Sequence, residues 1–347
     1  MWIAVVGALS LAATMVVAGI EDLPIRDPDA RYVGSPLALI SLIVAMFVVL
    51  DVVPRALSRA RNGDTGTATA IREVFIERWW GRRGLIIIVC ILGFYATYLS
   101  YRNLKSFIPF VTDGSLHDAG LLDLDSAMFF GTPPSTLLHD LLGTGLAAEA
   151  LSAVYLAFLT FVPLSIGAAL IWSSRVAEGV WYVTALALCW VLGILSYYLV
   201  PSLGPIYAEP SLFSNLPVTG VSEIQDTLLV DRGEVLANPH ASGTVQSVAG
   251  FASLHVAVIF TAALIAQLAG APRVLRTGLW TFFGLTVVST IYFGWHYVID
   301  DIGGVAIGML AVYAAALMVG LRPAPLRAPV PDGRGVLGSP SPSRVET

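Results

Sequence analysis

The segment VSTIYFGWHYVIDDIGG, residues 288–304, lies where one long apolar run ends and the last one begins. It places an imidazole, His296, four residues ahead of a carboxylate, Asp300, in a chain with few charges inside its hydrophobic stretches. Four residues make one helical turn, so a helical reading puts both side chains on one face. A carboxylate bonded to one ring nitrogen fixes the tautomer and leaves the other nitrogen free to attack or to take a proton. Apolar runs on both sides leave almost nothing between them, which forces a tight reversal at about 293–297.

The rest of the chain supports a bilayer as its solvent. Of 347 residues, 56% are hydrophobic and 12% charged, about half the charge of an ordinary soluble domain. Runs near 20 residues, enough to cross about 30 Å of hydrocarbon, fall at about 1–20, 35–54, 84–104, 148–172, 179–200, 253–270, 276–295 and 297–320. The expected fold is therefore all-α, a polytopic membrane bundle of about eight transmembrane helices. The first run has no basic leader and no small-residue cleavage site, so it reads as a retained helix.

Orientation follows from the basic residues. The segment between the second and third runs holds Arg55, Arg59, Arg61, Arg72, Arg78, Arg82 and Arg83, which makes it cytoplasmic. Alternating from there also places Arg175, Arg273, Arg276, Arg322, Arg327, Arg334 and Arg344 inside, and only Arg26, Arg31, Arg102, Lys105 and Arg232 outside. A single lysine among nineteen Lys and Arg residues, in an Ala-, Gly- and Val-rich chain, suggests a GC-rich genome and hence the plasma membrane of a bacterium.

Three regions are expected: an N-terminal hairpin with its Arg-rich loop (1–83), a six-helix catalytic membrane domain (84–321), and a Pro/Gly/Ser tail expected to be disordered (322–347). Two outer capping segments interrupt the middle region, at 105–147 and 201–252. Leucine spacing in the first suggests short amphipathic helices lying in the interface. Cys90 and Cys189 sit in apolar runs, without the spacing of a disulfide framework or a zinc site. A net charge of −5 spread over the chain gives no nucleic-acid footprint. No repeat is visible, and no feature specifies an oligomeric state.

Four distant clusters reach the same outer level: Arg102 and Lys105, the PSLGPIY turn at 201–207, Ser253 with His255, and His296 with Asp300. Phosphoryl transfer needs a nucleophile, a proton donor for the departing oxygen, and fixed donors or cations around the phosphate. His296 oriented by Asp300 fits the first role and His255 the second. Ser253, the amides opening the sixth run, Arg102 and Lys105 are candidates for holding phosphate.

These motifs resemble the type 2 phosphatidic acid phosphatase superfamily, whose signatures are K-x6-RP, PSGH and SR-x5-H-x3-D. Ser289, His296 and Asp300 reproduce the third spacing, and Ser253 with His255 match the second. Leu254 in place of glycine and Thr290 in place of arginine are similar to the inositol phosphorylceramide synthase branch, which reads PSLH and ST-x-Y-x3-HY-x2-D-x-IGG. Ser289, Thr290, Tyr292, His296, Tyr297, Asp300, Ile302, Gly303 and Gly304 occupy those places. Ala252 stands at the proline position, and the K-x6-RP motif is missing. The resemblance spans roughly 84–320 and implies a phosphohistidine on His296, orientation by Asp300, leaving-group protonation by His255, and no metal or other cofactor.

The expected activity is a lipid phosphotransferase working at the outer face on a phospholipid or polyprenyl-phosphate substrate. The alternatives are hydrolysis of a polyprenyl phosphate, a polyprenyl diphosphate or phosphatidic acid, and a non-catalytic scaffold or transporter. Other polar groups take plainer readings. Asp301 is expected to face solvent or the interface. Tyr292, Trp295 and Tyr297 read as an interfacial aromatic belt, Gly303 and Gly304 as close helix packing, and His117, His139 and His240 as loop residues.

Overall fold

A computed structural model describes residues 1–26, 36–63, 66–173 and 175–321; the expected tail at 322–347 lies outside the described residues. Thirteen α-helices are described: α1 Trp2–Ile20, α2 Pro36–Arg61, α3 Thr67–Trp79, α4 Arg82–Val111, α5 Asp118–Met128, α6 Pro134–Leu142, α7 Leu146–Trp172, α8 Val176–Leu199, α9 Pro205–Ala208, α10 Gly220–Ala237, α11 Leu254–Leu268, α12 Arg273–Tyr292 and α13 Val298–Val319. No strand occurs among the described residues. The protein is an all-helical, multi-pass membrane bundle.

Seven of the described helices are long and apolar enough to cross a bilayer, one fewer than the sequence suggests. The exception is α11, only 15 residues long and therefore about 22 Å against a core of about 30 Å. Its missing turns are replaced by irregular chain buried in protein, which a membrane tolerates only where every backbone group finds a partner. The partners are present. Gly250 N donates to the Ser202 carbonyl at 2.8 Å, Phe251 N to Ser202 Oγ at 2.9 Å, Ala252 N to Ser196 Oγ at 2.9 Å, and Ser253 N to the Asp300 carbonyl at 2.9 Å.

Helix α8 is the axis of the bundle. It packs against α4, α7, α11 and α13, and Trp181, Val183, Leu186, Cys189 and Trp190 are buried along it. Without a hydrophobic drive between helices in lipid, close approach depends on small residues. Gly304 of α13 shows this most sharply, since a Cβ there would lie 2.4 Å from the Ser253 carbonyl oxygen. The packing role expected for this glycine is what the contacts describe. On the far side, α1 lies along α4, where a Cβ on Gly7 would meet the Gly93 carbonyl at 2.7 Å.

The two segments expected to lie outside form a folded cap. Helices α5 and α6 come from the first segment, as the leucine spacing suggests. In the second, expected only as a capping segment, stands the 18-residue α10. Helix α5 holds the molecule together through two carboxylates seven residues apart on one face. Asp118 accepts from Leu203 N, Gly204 N and the Tyr297 hydroxyl at 2.9–3.0 Å. Asp125 accepts from Val298 N at 2.9 and 3.1 Å.

Candidate active site

The reversal between α12 and α13 occupies 293–297, as the sequence requires. Gly294 takes a left-handed turn with φ +67°, and a Cβ there would strike the Phe213 ring at 2.3 Å. His296 therefore precedes helix α13 and is not part of it, so the four-residue spacing to Asp300 works through a helix cap. Asp300 is the third residue of α13, and its Oδ2 accepts from Tyr297 N at 3.0 Å. The same oxygen lies 3.4 Å from His296 Nδ1. One carboxylate thus starts the helix and orients the imidazole.

With Nδ1–H directed at Asp300, the lone pair of His296 is on Nε2. That atom faces His255 Nδ1 at 3.5 Å, so His255 presents the proton and His296 accepts it. His255, the second residue of α11, is held against Tyr155 and Phe158 of α7, with ring centroids 4.8 and 4.4 Å away. Trp295 stacks on Tyr155 at 5.2 Å. Helices α7, α11 and α13 thereby supply one enclosed cluster. Burial pushes the His296 imidazole down to about 3, with the Lys105 ammonium adding to the effect and the Gly250 backbone opposing it. His296 is consequently neutral, with its lone pair available, across the physiological range.

Lys105 is the cation that acts on this cluster. It is buried, donates to the Tyr101 hydroxyl at 3.3 Å, and lies 5.6 and 5.1 Å from the rings of Tyr101 and Tyr197. Among the described residues no carboxylate pairs with it. A buried cation without a counter-ion is costly unless an anion arrives. Arg102, by contrast, turns to the Tyr98 hydroxyl at 3.3 Å. Ser253 caps α11, accepting from Val256 N at 3.5 Å, and is fully buried. Of the six candidate residues, the structure joins His255, His296 and Asp300 by contact and Lys105 by its field. Ser253 lies in the adjoining helix cap, and Arg102 is turned aside.

Several plainer expectations are corrected. Asp301 is buried, not interfacial, and accepts from the Thr290 hydroxyl at 3.1 Å. Tyr292, Trp295 and Tyr297 are buried under the cap and form no membrane belt. His139 is helical and donates through Nε2 to the Tyr292 carbonyl at 2.8 Å. His117 lies in the loop ahead of α5 as expected, and its amide donates to the Pro201 carbonyl at 2.8 Å.

Sequence reasoning also passed over Gln246 and Arg232. The fully buried Gln246 donates to the Lys105 carbonyl at 2.5 Å, and its Oε1 accepts from Val248 N at 2.9 Å and from Arg232 Nη1 at 3.5 Å. Burial lowers the Arg232 guanidinium from its ordinary value, and nearby Asp118 opposes that. No spacing signal links these two residues to the histidines. The seven-residue spacing of Asp118 and Asp125 puts the two on one helical face but does not point to the histidines. Among the described residues no cluster of three or more His, Cys, Asp or Glu side chains is arranged to hold a metal ion.

Taken together, the multi-pass helical bundle encloses two facing imidazoles, a carboxylate behind one of them and a buried lysine nearby, and this cluster is the candidate active site. The chain belongs to the PAP2 superfamily, whose family model matches residues 119–314 and so takes in both histidines, Asp300 and the cap from α5 onward. Neither a curated protein nor a solved structure matches the chain. Members of this superfamily are generally phosphatases or phosphotransferases of lipid phosphoesters, and a multi-pass bundle fits such a substrate.

Proposed function

We propose that the protein is a lipid phosphotransferase, similar to inositol phosphorylceramide synthase, working through a phosphohistidine without a metal. The observation that carries this reading is the line Asp300–His296–His255, with contacts of 3.4 and 3.5 Å. His296 Nε2 attacks phosphorus, and the P–O bond to the departing group breaks as protonated His255 gives that oxygen its proton. An acceptor hydroxyl then loses its proton to His255 and attacks phosphorus, and the P–N bond breaks. A phosphate entering between the rings brings the negative charge that favours protonated His255. Lys105 stabilises the charge developing on the phosphate oxygens. Ser253 completes the proposed phosphate set from the adjoining helix cap, and Arg102, whose side chain turns to Tyr98, adds only its charge from a distance.

Transfer is favoured over hydrolysis because the site is closed. His296 is 4% exposed, and Tyr155, Phe158 and Trp295 exclude water that would compete with an acceptor hydroxyl. The same reading places the site at the outer face of a bacterial plasma membrane, opposite the Arg-rich segments.

The test uses purified protein with a phospholipid labelled in its phosphorylated headgroup. Wild type yields a new lipid phosphodiester and an acid-labile label on the protein, and His296→Asn yields neither. Turnover retained in His296→Asn removes the nucleophile. Free phosphate or free headgroup as the sole product establishes hydrolysis in place of transfer. Cysteine labelling checks the orientation, since Cys90 and Cys189 are buried. In whole cells the exposed position of Ser115→Cys reacts with an impermeant reagent and that of Asn62→Cys does not; the reverse pattern inverts the orientation.

A further inference from the structure

A second cation-bearing feature lies at the other end of the bundle. A cleft of about 470 Å³ opens between the end of α11 and the first turns of α12, lined by Gln267, Arg273, Arg276, Thr277, Trp280 and Thr281. The five lining residues of α12 fall at helical spacings of three and four, so they form one face. Arg276 Nη1 donates to Gln267 Oε1 at 3.4 Å, while its Nε is shielded from solvent and has no partner. Among the described residues no carboxylate pairs with Arg273 or Arg276. Trp280 is fixed edge-on against Phe260 at 5.7 Å and Phe283 at 5.6 Å, which gives the cleft a rigid aromatic wall.

The surroundings of the cleft identify its occupant. Val274, Leu275 and Leu285 on the same helix are exposed apolar residues, at 86%, 51% and 41%. On a membrane-crossing helix such residues face acyl chains. Two guanidiniums and two hydroxyls therefore converge beside a lipid-facing surface. Guanidinium is matched to phosphate oxygens in geometry and charge. Helix α12 is 20 residues long, about 30 Å, and its far end adjoins His296, so this cleft is separate from the histidine site.

We propose that the cleft binds the phosphate headgroup of an anionic phospholipid in the leaflet opposite the histidines, its acyl chains lying along Val274 and Leu285, which border the cleft face of the helix. The bound lipid braces the turn joining α11 to α12, the two helices that carry His255 and lead into His296. This holds whatever reaction the histidines perform.

The experiment reconstitutes full-length protein into phosphatidylcholine vesicles doped with phosphatidylglycerol, re-extracts it in mild detergent, and counts retained lipids by native mass spectrometry. Wild type retains phosphatidylglycerol over phosphatidylcholine, and Arg273→Gln/Arg276→Gln lowers that retention about tenfold, as expected for losing charge-assisted bonds. Because Arg273 is exposed, Arg273→Gln alone keeps the fold and gives a partial loss. Arg175→Gln, an exposed arginine outside the cleft, retains the lipid fully. Equal retention by wild type and both cleft variants overturns the proposal. Displacement of the lipid by low-millimolar inorganic phosphate also overturns it, in favour of a soluble anion.

Discussion

His139, on the capping helix α6, donates through Nε2 to the carbonyl oxygen of Tyr292 at 2.8 Å, and the two rings meet edge to face at 4.7 Å. The next two carbonyls are captured in the same way. Gln225 of α10 donates to Phe293 O at 2.8 Å, and Ile206 N of α9 donates to Gly294 O at 2.9 Å. Three separate cap elements thus hold three consecutive peptide units just ahead of His296. His139→Leu leaves a buried carbonyl unpaired, at a cost of about 1–3 kcal/mol. Turnover is expected to fall with little change in KM, and His139→Gln, which still offers an N–H donor, to restore part of it. Steady-state kinetics on the three proteins provide the check, and unchanged kcat in His139→Leu would contradict the positioning role.

Lys105 lies beside the rings of Tyr101 and Tyr197, 5.6 and 5.1 Å from their centroids, and acts on His296 without touching it. Lys105→Met removes a positive charge that disfavours the imidazolium, so the His296 titration should move upward, as followed by NMR of labelled histidine. The same variant loses charge-assisted contact with substrate phosphate, and KM should rise about ten- to a hundredfold. Lys105→Arg should recover little of this, because the larger planar guanidinium does not reproduce the compact ammonium buried beside Tyr101 and Tyr197.

Asp125 carries a pH dependence of known sign. Burial pushes its carboxyl up to about 6, reinforced by Asp300 and opposed by the Val298 amide. Its ordinary value is about 3.9, so between these values the folded protein holds the proton and the unfolded chain does not. This contribution is full below about pH 4 and is lost as pH rises to about 6, with a size on the order of 2 kcal/mol. Thermal unfolding in detergent should show wild type losing stability over that interval relative to Asp125→Asn, whose side chain does not titrate. Parallel melting curves from pH 4 to 6 would remove the assignment.

Gly304→Ala places a methyl group against the Ser253 carbonyl, and backbone on both sides leaves little room to adjust. Overpacking of this kind costs about 1–3 kcal/mol. Because Ser253 starts the helix that carries His255, activity should fall further than stability alone explains. A thermal-shift assay beside turnover at a temperature where the variant is fully folded separates the two effects.

The candidate site residues were legible in the sequence because their spacing is local: His296 and Asp300 are four residues apart, and Ser253 and His255 are two apart. The hydrophobic runs likewise showed where helices cross the membrane. What the sequence hid is long-range or depends on what covers a residue. No local pattern pairs His139 with Tyr292, 153 positions away. Tyr292 and Trp295 have the composition of an interfacial belt, and only the cap above them makes them interior. The length of α11 escaped because the apolar run was read over 253–270, whereas the helix spans only Leu254–Leu268, with Ser253 and Ala269 as its caps. Helix α10 escaped because its sequence, GVSEIQDTLLVDRGEVLA, shows no clean apolar stripe and begins with glycine.

The sharing of the 292–294 carbonyls among α6, α9 and α10 bears on how such enzymes diversify. The cap carries no reactive imidazole, so it looks like the part to exchange when a different acceptor is wanted. Yet its elements grip one short turn jointly, and a graft of either capping segment alone would leave that turn part-anchored. New specificity in this scaffold should therefore arise by exchanging both segments as a unit, or by point changes on surfaces that leave the grip intact.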